Sequence, residues 1–356
     1  MNIIIINDIN GEEFSIFKKS LDLFIILTKF FFVFIFLYFN NNLNMINLNI
    51  KSVYLNDLMD KTELKTINKT QTMKIALCTV GKKENLYVKE FIEYYINLGV
   101  NHIFIYDDNE KNDEKIGDII PQEYYLNISL YETHSMNITH QSEAFTDCYK
   151  NNIEKFDWFI MLDMDEYLYI VNDTLERYLN SPTIKKCDII KINWVISRDN
   201  NLIYYRHKPL FERFMPPYIK SKFIKSIIKG NISDLEYWVH SPLYSPSKNI
   251  TCNCAGKLIH YKTLNFESLT PINVEKAFII HFRFKSTEEL INKNKRGFYN
   301  WLDNKTLQWT LRGHIDDYFN QNEITLEKIN YIEKELNIKL YFYRIKYYFI
   351  LLFFFL

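Results

Sequence analysis

The chain has 356 residues, of which 47% are hydrophobic, and its 43 basic residues balance 43 acidic ones. This length allows a sizeable core in one large domain or two ordinary ones, and the absence of net charge argues against a nucleic-acid partner. The five cysteines are too few and too scattered for a disulfide scaffold, although one or two disulfides are compatible with a lumenal domain.

The N-terminal part contains a membrane-anchor candidate. An N-terminal tail, 1–20, carries Lys18 and Lys19, and an apolar segment follows at 21–39. The length of this segment is at the lower limit for a helix that spans a bilayer. We interpret it as an uncleaved hydrophobic helix because it has no small-residue cleavage site. The lysines favour a single-pass protein with a cytosolic N-terminus and a lumenal catalytic domain. The alternatives are a cytoplasmic, membrane-associated protein or a helix docked on the protein surface. Residues 40–72 are a predicted stem.

Strand and helix patterns alternate from Lys74 onward. Four apolar runs predict buried strands at 74–80, 102–108, 125–133 and 157–163. Between them, the patterns predict helices at 87–99 and 140–155 and a short helix or turn at 113–120. This order predicts an α/β fold with a mostly parallel sheet and helices on both faces. Ligands of such a fold bind beyond the carboxyl ends of the strands.

The second half of the chain has a looser pattern. Strands are predicted at 187–197 and 275–286, and helices at 287–302 and 324–337. A basic segment contains Lys222, Lys225 and Lys229, which we expect on a solvated face; the alternative is that they attract a bound diphosphate. We expect one domain from 73 to 340. The apolar tail, 341–356, has too short an apolar run to span a bilayer, so it either lies in an interface or packs on the domain.

Acidic residues gather at the predicted carboxyl ends of the strands. Asp107 and Asp108 follow the second strand, and Asp163 and Asp165 follow the fourth. In an extended chain, residues i and i+2 point to the same side. Paired carboxylates suit Mg²⁺ or Mn²⁺ with a bound diphosphate, so we predict a nucleotide-diphosphate site here. The alternative is a solvated cluster of charges at a strand end.

A second chemistry for the same acids is that of DxD phosphatases, in which the first Asp is the nucleophile. That motif follows the first strand of its fold and usually has Thr or Val two residues after the second Asp. Here the motif follows the fourth strand, and Tyr167 occupies that position. The phosphatase is the less favoured alternative.

Several segments resemble known glycosyltransferases. KKENLYVKEFIEYYINLGVNHIFIYDDN resembles the opening of GT-A enzymes of the family 2 kind, which have a Rossmann-like sheet. A longer ordered set resembles glycosyltransferase family 92 more closely, over about residues 74–301. Its members are QSEAFTDCYKNNIEKFDWFIMLDMDEYL, INW, FERF, KSIIKG, WVHSP and HFRFKSTEELINKNKRG.

The resemblance implies a hexosyltransferase that moves a sugar from a nucleotide-sugar donor, a UDP-sugar, to a glycan or protein-linked acceptor. It implies a divalent metal, Mn²⁺ or Mg²⁺, and inversion at the anomeric carbon. By motif position, Glu84, Asp107 and Asp108 would face the nucleoside. Asp163 and Asp165 would hold donor and metal, and His240 would be a further contact to the metal or diphosphate.

An inverting transfer needs a general base for the acceptor hydroxyl. The candidates are Asp199, in SRDNN, and Glu212, in FERF. SRDNN departs from the Phe-Gly stretch that the family tends to show after Trp194. That departure leaves open a non-catalytic relative that binds carbohydrate or acts as a scaffold.

Overall fold

The computed structural model describes residues 45–46, 73–233, 235–242, 249–259, 272–296 and 304–355. The chain divides after Met45 into two units, and the second unit contains the sheet and the helices around it. A two-residue strand, β1 (Met45–Ile46), lies at this division. The predicted anchor at 21–39 lies outside the described residues. Within the described ranges, no helix is both long enough and apolar enough to cross a membrane.

The first half of the second unit forms the predicted alternation of strands and helices. The strands are β2 (Ile75–Gly81), β3 (His102–Asp107), β4 (Ile128–Glu132) and β5 (Trp158–Met161). They are parallel, in the order β4-β3-β2-β5. The helices between them are α1 (Val88–Leu98), a 3₁₀ turn (Ile116–Ile119) and α2 (Gln141–Asn152). Gly99 ends α1 in a left-handed conformation, with φ of 107°, which suits a residue without a Cβ.

The second half contributes five strands and makes the sheet mixed. They are β6 (Glu166–Ile170), β7 (Ile189–Ile196), β8 (Tyr218–Lys229), β9 (Thr251–Asn253) and β10 (Ala277–His281). The sheet continues from β5 as β8-β7-β10-β6, and β9 pairs with β7. From β2 onward, five strand pairs are parallel and three are antiparallel. The expectation of a mostly parallel sheet is therefore only partly right.

The antiparallel pairs have two causes. The basic segment expected on a solvated face forms β8, which lies between β5 and β7 and runs antiparallel to both. The chain also passes from β5 to β6 through only Leu162–Asp165, which is too short for a parallel crossover. In a flat sheet four strand spacings of about 4.8 Å would separate β5 from β6. The sheet therefore curls and brings its far end back toward β5.

Helices cover both faces of the first four strands, as predicted. Successive strand residues point to opposite faces. Ile103 and Ile105 pack in the cluster that contains Phe91 of α1, whereas Phe104 packs in the cluster that contains Phe145 of α2. A disulfide, Cys78–Cys148, joins β2 to α2, and a second, Cys187–Cys252, joins the chain before β7 to β9. Cys254 is buried and reduced.

Short helices border the sheet, and longer ones form a C-terminal layer. The short ones are α3 (Leu175–Asn180), α4 (Pro182–Lys185) and α5 (Leu210–Arg213). The C-terminal ones are α6 (Thr287–Lys295), α7 (Asn304–Gln321), α8 (Leu326–Leu336) and α9 (Tyr341–Phe355). Ser286 caps α6 and Thr325 caps α8. The apolar tail packs on the domain through Leu340 and Tyr343.

Candidate active site

The two predicted ligand acids lie in the turn that joins β5 to β6, at the carboxyl end of β5. The Asp163 amide donates to Glu166 Oε2 at 3.1 Å, and the Glu166 amide donates to the Asp163 carbonyl at 3.1 Å. These reciprocal bonds fix the turn. β5 ends at Met161, so the acids do not share one extended strand and their side chains differ in access. The side chain of Asp163 is 27% exposed, and that of Asp165 is 6% exposed.

Asp163 is paired with a buried lysine on β8. Lys225 Nζ lies 2.9 Å from Asp163 Oδ1, 2.7 Å from the Val239 carbonyl and 3.8 Å from Glu166 Oε2. Gln141 Nε2 donates to the same Asp163 oxygen. Burial acts to lower the pKa of Lys225, but Asp163 and Glu166 raise it above its ordinary value. The expectation of a solvated face is wrong for Lys225, because β8 lies inside the sheet.

Asp165 is paired with a second lysine and with a histidine. Lys293 Nζ lies 2.7 Å from Asp165 Oδ2, and His281 Nε2 lies 3.5 Å from Oδ1. Burial opposes ionisation, but Lys293 and His281 hold the pKa of Asp165 well below its usual range. Burial raises the pKa of the neighbouring Glu166 well above its usual range, and the charge of Lys225 opposes that rise. Asp165 is therefore a carboxylate with a fixed cationic partner.

Glu84 belongs to the same network of charges. Its carboxylate lies 2.8 Å from Lys285 Nζ and 2.8 Å from Arg296 Nη1. Burial opposes ionisation, but the two cations lower the pKa of Glu84. The charge of Lys285 also lowers the pKa of Asp165. The loop after β2, which carries Glu84, and the turn that carries Asp163 and Asp165 are thus coupled electrostatically, as the convergence of strand ends predicts.

The two acids after β3 differ in their surroundings. Asp107 is buried, and its carboxylate accepts from the amides of Asn109 at 2.9 Å and Ile116 at 2.8 Å. These bonds hold the loop that follows β3. Asp108 is half-buried; it accepts from Thr133 Oγ1 at 2.6 Å and lies 3.3 Å from Lys82 Nζ. Of the two, Asp108 is the one that solvent reaches.

His240 lies on the β8 side of the turn. Its Nδ1 is 3.1 Å from the Ile224 carbonyl, next to Lys225. Burial and the charge of Lys225 lower the pKa of His240 to about 3, so the imidazole is neutral at neutral pH. The Trp194 ring centroid lies 5.1 Å from that of His240 and 4.3 Å from that of His281. Trp194 therefore packs against both histidines.

The donor set suits a divalent cation. Carboxylate oxygens and a neutral imidazole are ligands that Mn²⁺ accepts. Among the described residues, no three acidic, histidine or cysteine side chains are placed to hold an ion. Instead the Lys225 ammonium lies in the field of Asp163, Glu166 and Asp165, and it lowers the pKa of His240. The acids and the imidazole thus suit a cation in their donor chemistry, and in this arrangement Lys225 and Lys293 supply the positive charge beside the acids.

The two candidate bases lie in different settings. Asp199 is buried; its carboxylate lies 2.7 Å from Lys328 Nζ and also accepts from Tyr318 and from the Asn201 amide. Glu212, on α5, is 53% exposed and lies 3.9 Å from Lys208 Nζ. Within the described ranges, neither acid is hydrogen-bonded or ion-paired to the groups that hold Asp163 and Asp165.

Five side chains that pair with Asp163, Asp165 or Glu84 lay outside the predicted set. Four of them occur in the family-like segment HFRFKSTEELINKNKRG, which could have directed attention to them: His281, Lys285, Lys293 and Arg296. Gln141 opens the other long family-like segment. Without the fold, nothing separates these side chains from ordinary surface residues.

Comparisons with known proteins point to one enzyme family. A sequence profile of glycosyltransferase family 92 matches residues 71–340. A glycosyltransferase family 92 protein of rice, Oryza sativa subsp. japonica, is 27% identical over 113 residues, which are 31% of this chain and 19% of the rice protein. The match therefore spans about a fifth of that relative's length.

Solved structures give weaker likenesses. HddC from Yersinia pseudotuberculosis is 10% identical, with a TM-score of 0.30, over 51% of this chain and 91% of its own. TarS of S. aureus is 12% identical, with a TM-score of 0.29, over 74% of this chain and 49% of its own. Mannosyl-3-phosphoglycerate synthase from Rubrobacter xylanophilus is 10% identical, with a TM-score of 0.26, over 44% of this chain and 53% of its own.

Proposed function

The chain belongs to glycosyltransferase family 92, and from this premise we propose that it is a glycosyltransferase, an inverting, metal-dependent hexosyltransferase. Its donor is a UDP-sugar, and its acceptor is a glycan or a protein-linked glycan. The observation that carries the proposal is the pairing of Asp163 and Asp165 with separate lysines in one turn at the carboxyl end of β5.

The donor diphosphate is anionic, and the site offers cations to bind it. Lys293 belongs to the Asp165 pair, and Arg296 belongs to the Glu84 pair. A guanidinium binds phosphate oxygens through two parallel hydrogen bonds. Asp108, at the solvent-accessible edge, is placed to accept from hydroxyl groups of a nucleoside.

Mn²⁺ or Mg²⁺, when bound, would supply a Lewis acid that neutralises charge on the departing nucleoside diphosphate. Asp163, Asp165 and His240 would hold it, the histidine as a neutral imidazole. Lys293 keeps Asp165 ionised and fixed before the ligand arrives, which lowers the reorganisation that binding requires.

The proton of the acceptor hydroxyl needs a base, and Glu212 is the better of the two candidates. Its carboxylate is exposed, and its ion pair with Lys208 is long, at 3.9 Å. Asp199 is occupied by Lys328, Tyr318 and the Asn201 amide, so proton transfer to it would break an ion pair. We assign the base role to Glu212.

A lumenal location is part of the proposal. Disulfides persist in oxidising compartments, and the protein has two, Cys78–Cys148 and Cys187–Cys252. With a membrane anchor at 21–39, these support a single-pass protein with a lumenal catalytic domain.

The test is sugar transfer by the full chain with Mn²⁺ and a panel of UDP-sugars, compared with Asp163→Asn and Asp165→Asn. We expect turnover that requires the metal and falls at least about 100-fold in both variants, because charge stabilisation of the leaving group is lost. Circular dichroism checks that the variants fold. Sugar binding without turnover would favour the scaffold alternative. A phospho-aspartate at Asp163, found by mass spectrometry, would favour the phosphatase.

A further inference from the structure

Helix α9 contacts the domain through one side. Tyr343 is buried in the C-terminal cluster, and its hydroxyl donates to Asp316 Oδ1 at 2.5 Å. Arg344 Nε lies 3.2 Å from Glu333 Oε2, and Tyr347 packs against the same cluster. These contacts fix how the helix is rotated on the surface.

The opposite side of α9 presents large apolar side chains to solvent. Tyr341 and Phe342 are each 68% exposed, Ile345 is 56% exposed and Tyr348 is 51% exposed. At about 100° per residue these four fall within an arc of about 120° on the side away from Tyr343. An apolar stripe of this kind on a surface helix marks an interaction site.

The charges within this segment of the sequence have one sign. From residue 336 to residue 356 the sequence contains Lys339, Arg344 and Lys346 and no acid. Arg344 is paired with Glu333, and Lys339 and Lys346 add two further positive charges. A second copy of the chain on this face would add cations and no acid from the same segment. An anionic lipid surface complements the charge.

The composition and length also fit a bilayer surface. Tyr and Phe are enriched where headgroups meet acyl chains, and basic side chains beside them reach outward to the headgroups. The helix has 15 residues, so it is about 22 Å long. A hydrocarbon core is about 30 Å thick, so this helix can lie on a membrane but cannot cross it.

We propose that α9 is a membrane-surface helix that binds anionic lipid through Tyr341, Phe342, Ile345 and Tyr348. The helix lies in the plane of the bilayer, with this stripe at the boundary between headgroups and acyl chains. It is a contact separate from the predicted anchor at 21–39, and it fixes the orientation of the domain relative to the membrane.

A fluorescent label on the helix separates this contact from any other membrane attachment of the full chain. An environment-sensitive dye is attached at Ile345→Cys, and a matched control dye at Leu126→Cys, a position 93% exposed elsewhere on the domain. The native cysteines are in disulfides or buried. The probes are vesicles of phosphatidylcholine with and without phosphatidylserine, each with a headgroup-level nitroxide lipid.

With phosphatidylserine vesicles, we expect the dye at 345 to shift to the blue and be quenched by the nitroxide, and the dye at 126 to change little. In the double variant Lys339→Glu, Lys346→Glu, the lipid concentration needed for half of the maximal quenching should rise about tenfold or more. A dye at 345 that stays unquenched while the protein floats with the vesicles would overturn the proposal. A dye at 345 that is already shielded without lipid would also overturn the proposal. Shielding that increases with protein concentration would then indicate a second copy of the chain, and shielding independent of concentration would indicate a segment of the same chain.

Discussion

Lys225 Nζ lies 2.9 Å from Asp163 Oδ1, and the lysine side chain is completely buried whereas the aspartate is 27% exposed. The positive charge thus lies beneath the acid, on the side away from solvent. A ligand that approaches from solvent meets Asp163 first, and Lys225 holds that carboxylate from within. Glu166 Oε2, 3.8 Å from the same ammonium, depends on it as well.

Replacement of Lys225 by methionine should destabilise the fold strongly. Lys225→Met keeps the length of the side chain but leaves the buried Glu166 and the partly buried Asp163 without their cation. Removal of one partner of a buried ion pair costs about 3–5 kcal/mol, and we expect a loss of this size in the free energy of unfolding, measured by urea denaturation. The control is Lys222→Met, at an exposed position of the same strand. Equal losses in both variants would contradict the role of Lys225.

The same variant tests the cation site by a binding readout. In Lys225→Met, Mn²⁺ no longer competes with the ammonium for Asp163, so Mn²⁺ should raise the melting temperature more than it does in the native chain. A ligand specific to the folded state stabilises it in proportion to its occupancy. Ca²⁺, tested in parallel, reports non-specific ion effects. A smaller Mn²⁺ shift in the variant would show that Lys225 supports the metal rather than replaces it.

Much of the first half of the fold follows from the sequence. The runs that became β2, β3 and β5 are mainly apolar, and α1 has a clear apolar face and a glycine stop. The positions of Asp163 and Asp165 follow from the strand order. The pairing of β8 does not, because KSKFIKSIIK mixes lysines with apolar residues without the alternation that would assign each side chain to a face. Only the sheet shows that Lys225 faces the buried acids. The pairing of β6 with β10 also depends on contacts distant in sequence, which no local pattern encodes.

Kinetic and stability measurements on variants should distinguish the two candidate bases. Glu212→Gln removes a proton acceptor from an exposed carboxylate, so we expect kcat to fall about 10²- to 10⁴-fold with the donor KM and the unfolding free energy little changed. Asp199→Asn instead weakens the bonds to Lys328 and Tyr318, so it should lower stability first. Transfer assays and urea denaturation on both variants distinguish the two. Full activity in Glu212→Gln would contradict the assignment of Glu212 as the general base.

The disulfides give a chemical prediction about cysteine. Two pairs, Cys78–Cys148 and Cys187–Cys252, and one reduced thiol, Cys254, account for all five cysteines. Alkylation of denatured, unreduced protein should therefore add one label, and alkylation after reduction should add five. Loss of the Cys187–Cys252 pair by double substitution with alanine should cost about 2–5 kcal/mol in the free energy of unfolding. Cys254→Ala is the control that leaves both pairs intact. Five labels without reduction, in protein secreted through an oxidising compartment, would contradict the pairing.

Glu90 should make stability depend on pH. Its carboxylate accepts from the Leu210 amide at 2.9 and 3.1 Å and so ties α1 to α5, the helix that carries Glu212. Burial raises the pKa of Glu90 from 4.5 to about 7, although the Leu210 amide and Arg213 oppose the rise. Between these two values the folded state binds more protons than the unfolded state. The contribution of Glu90 to stability is therefore full below pH 4.5, falls as the pH rises to about 7 and is constant above it.

Glu90→Gln mimics the protonated form at every pH, so it should remove the fall in unfolding free energy that Glu90 causes as the pH rises. The native chain and the variant should have similar unfolding free energies near pH 5, and the variant should be more stable by about 1–3 kcal/mol at pH 8. Urea denaturation across this range gives the difference directly, and subtraction of the two curves cancels the other titrating groups. Glu123→Gln, at an exposed position, should run parallel to the native chain. A variant that is less stable than the native chain at pH 8 would mean that Glu90 acts as an ionised partner of Arg213, which would place its pKa below the working pH.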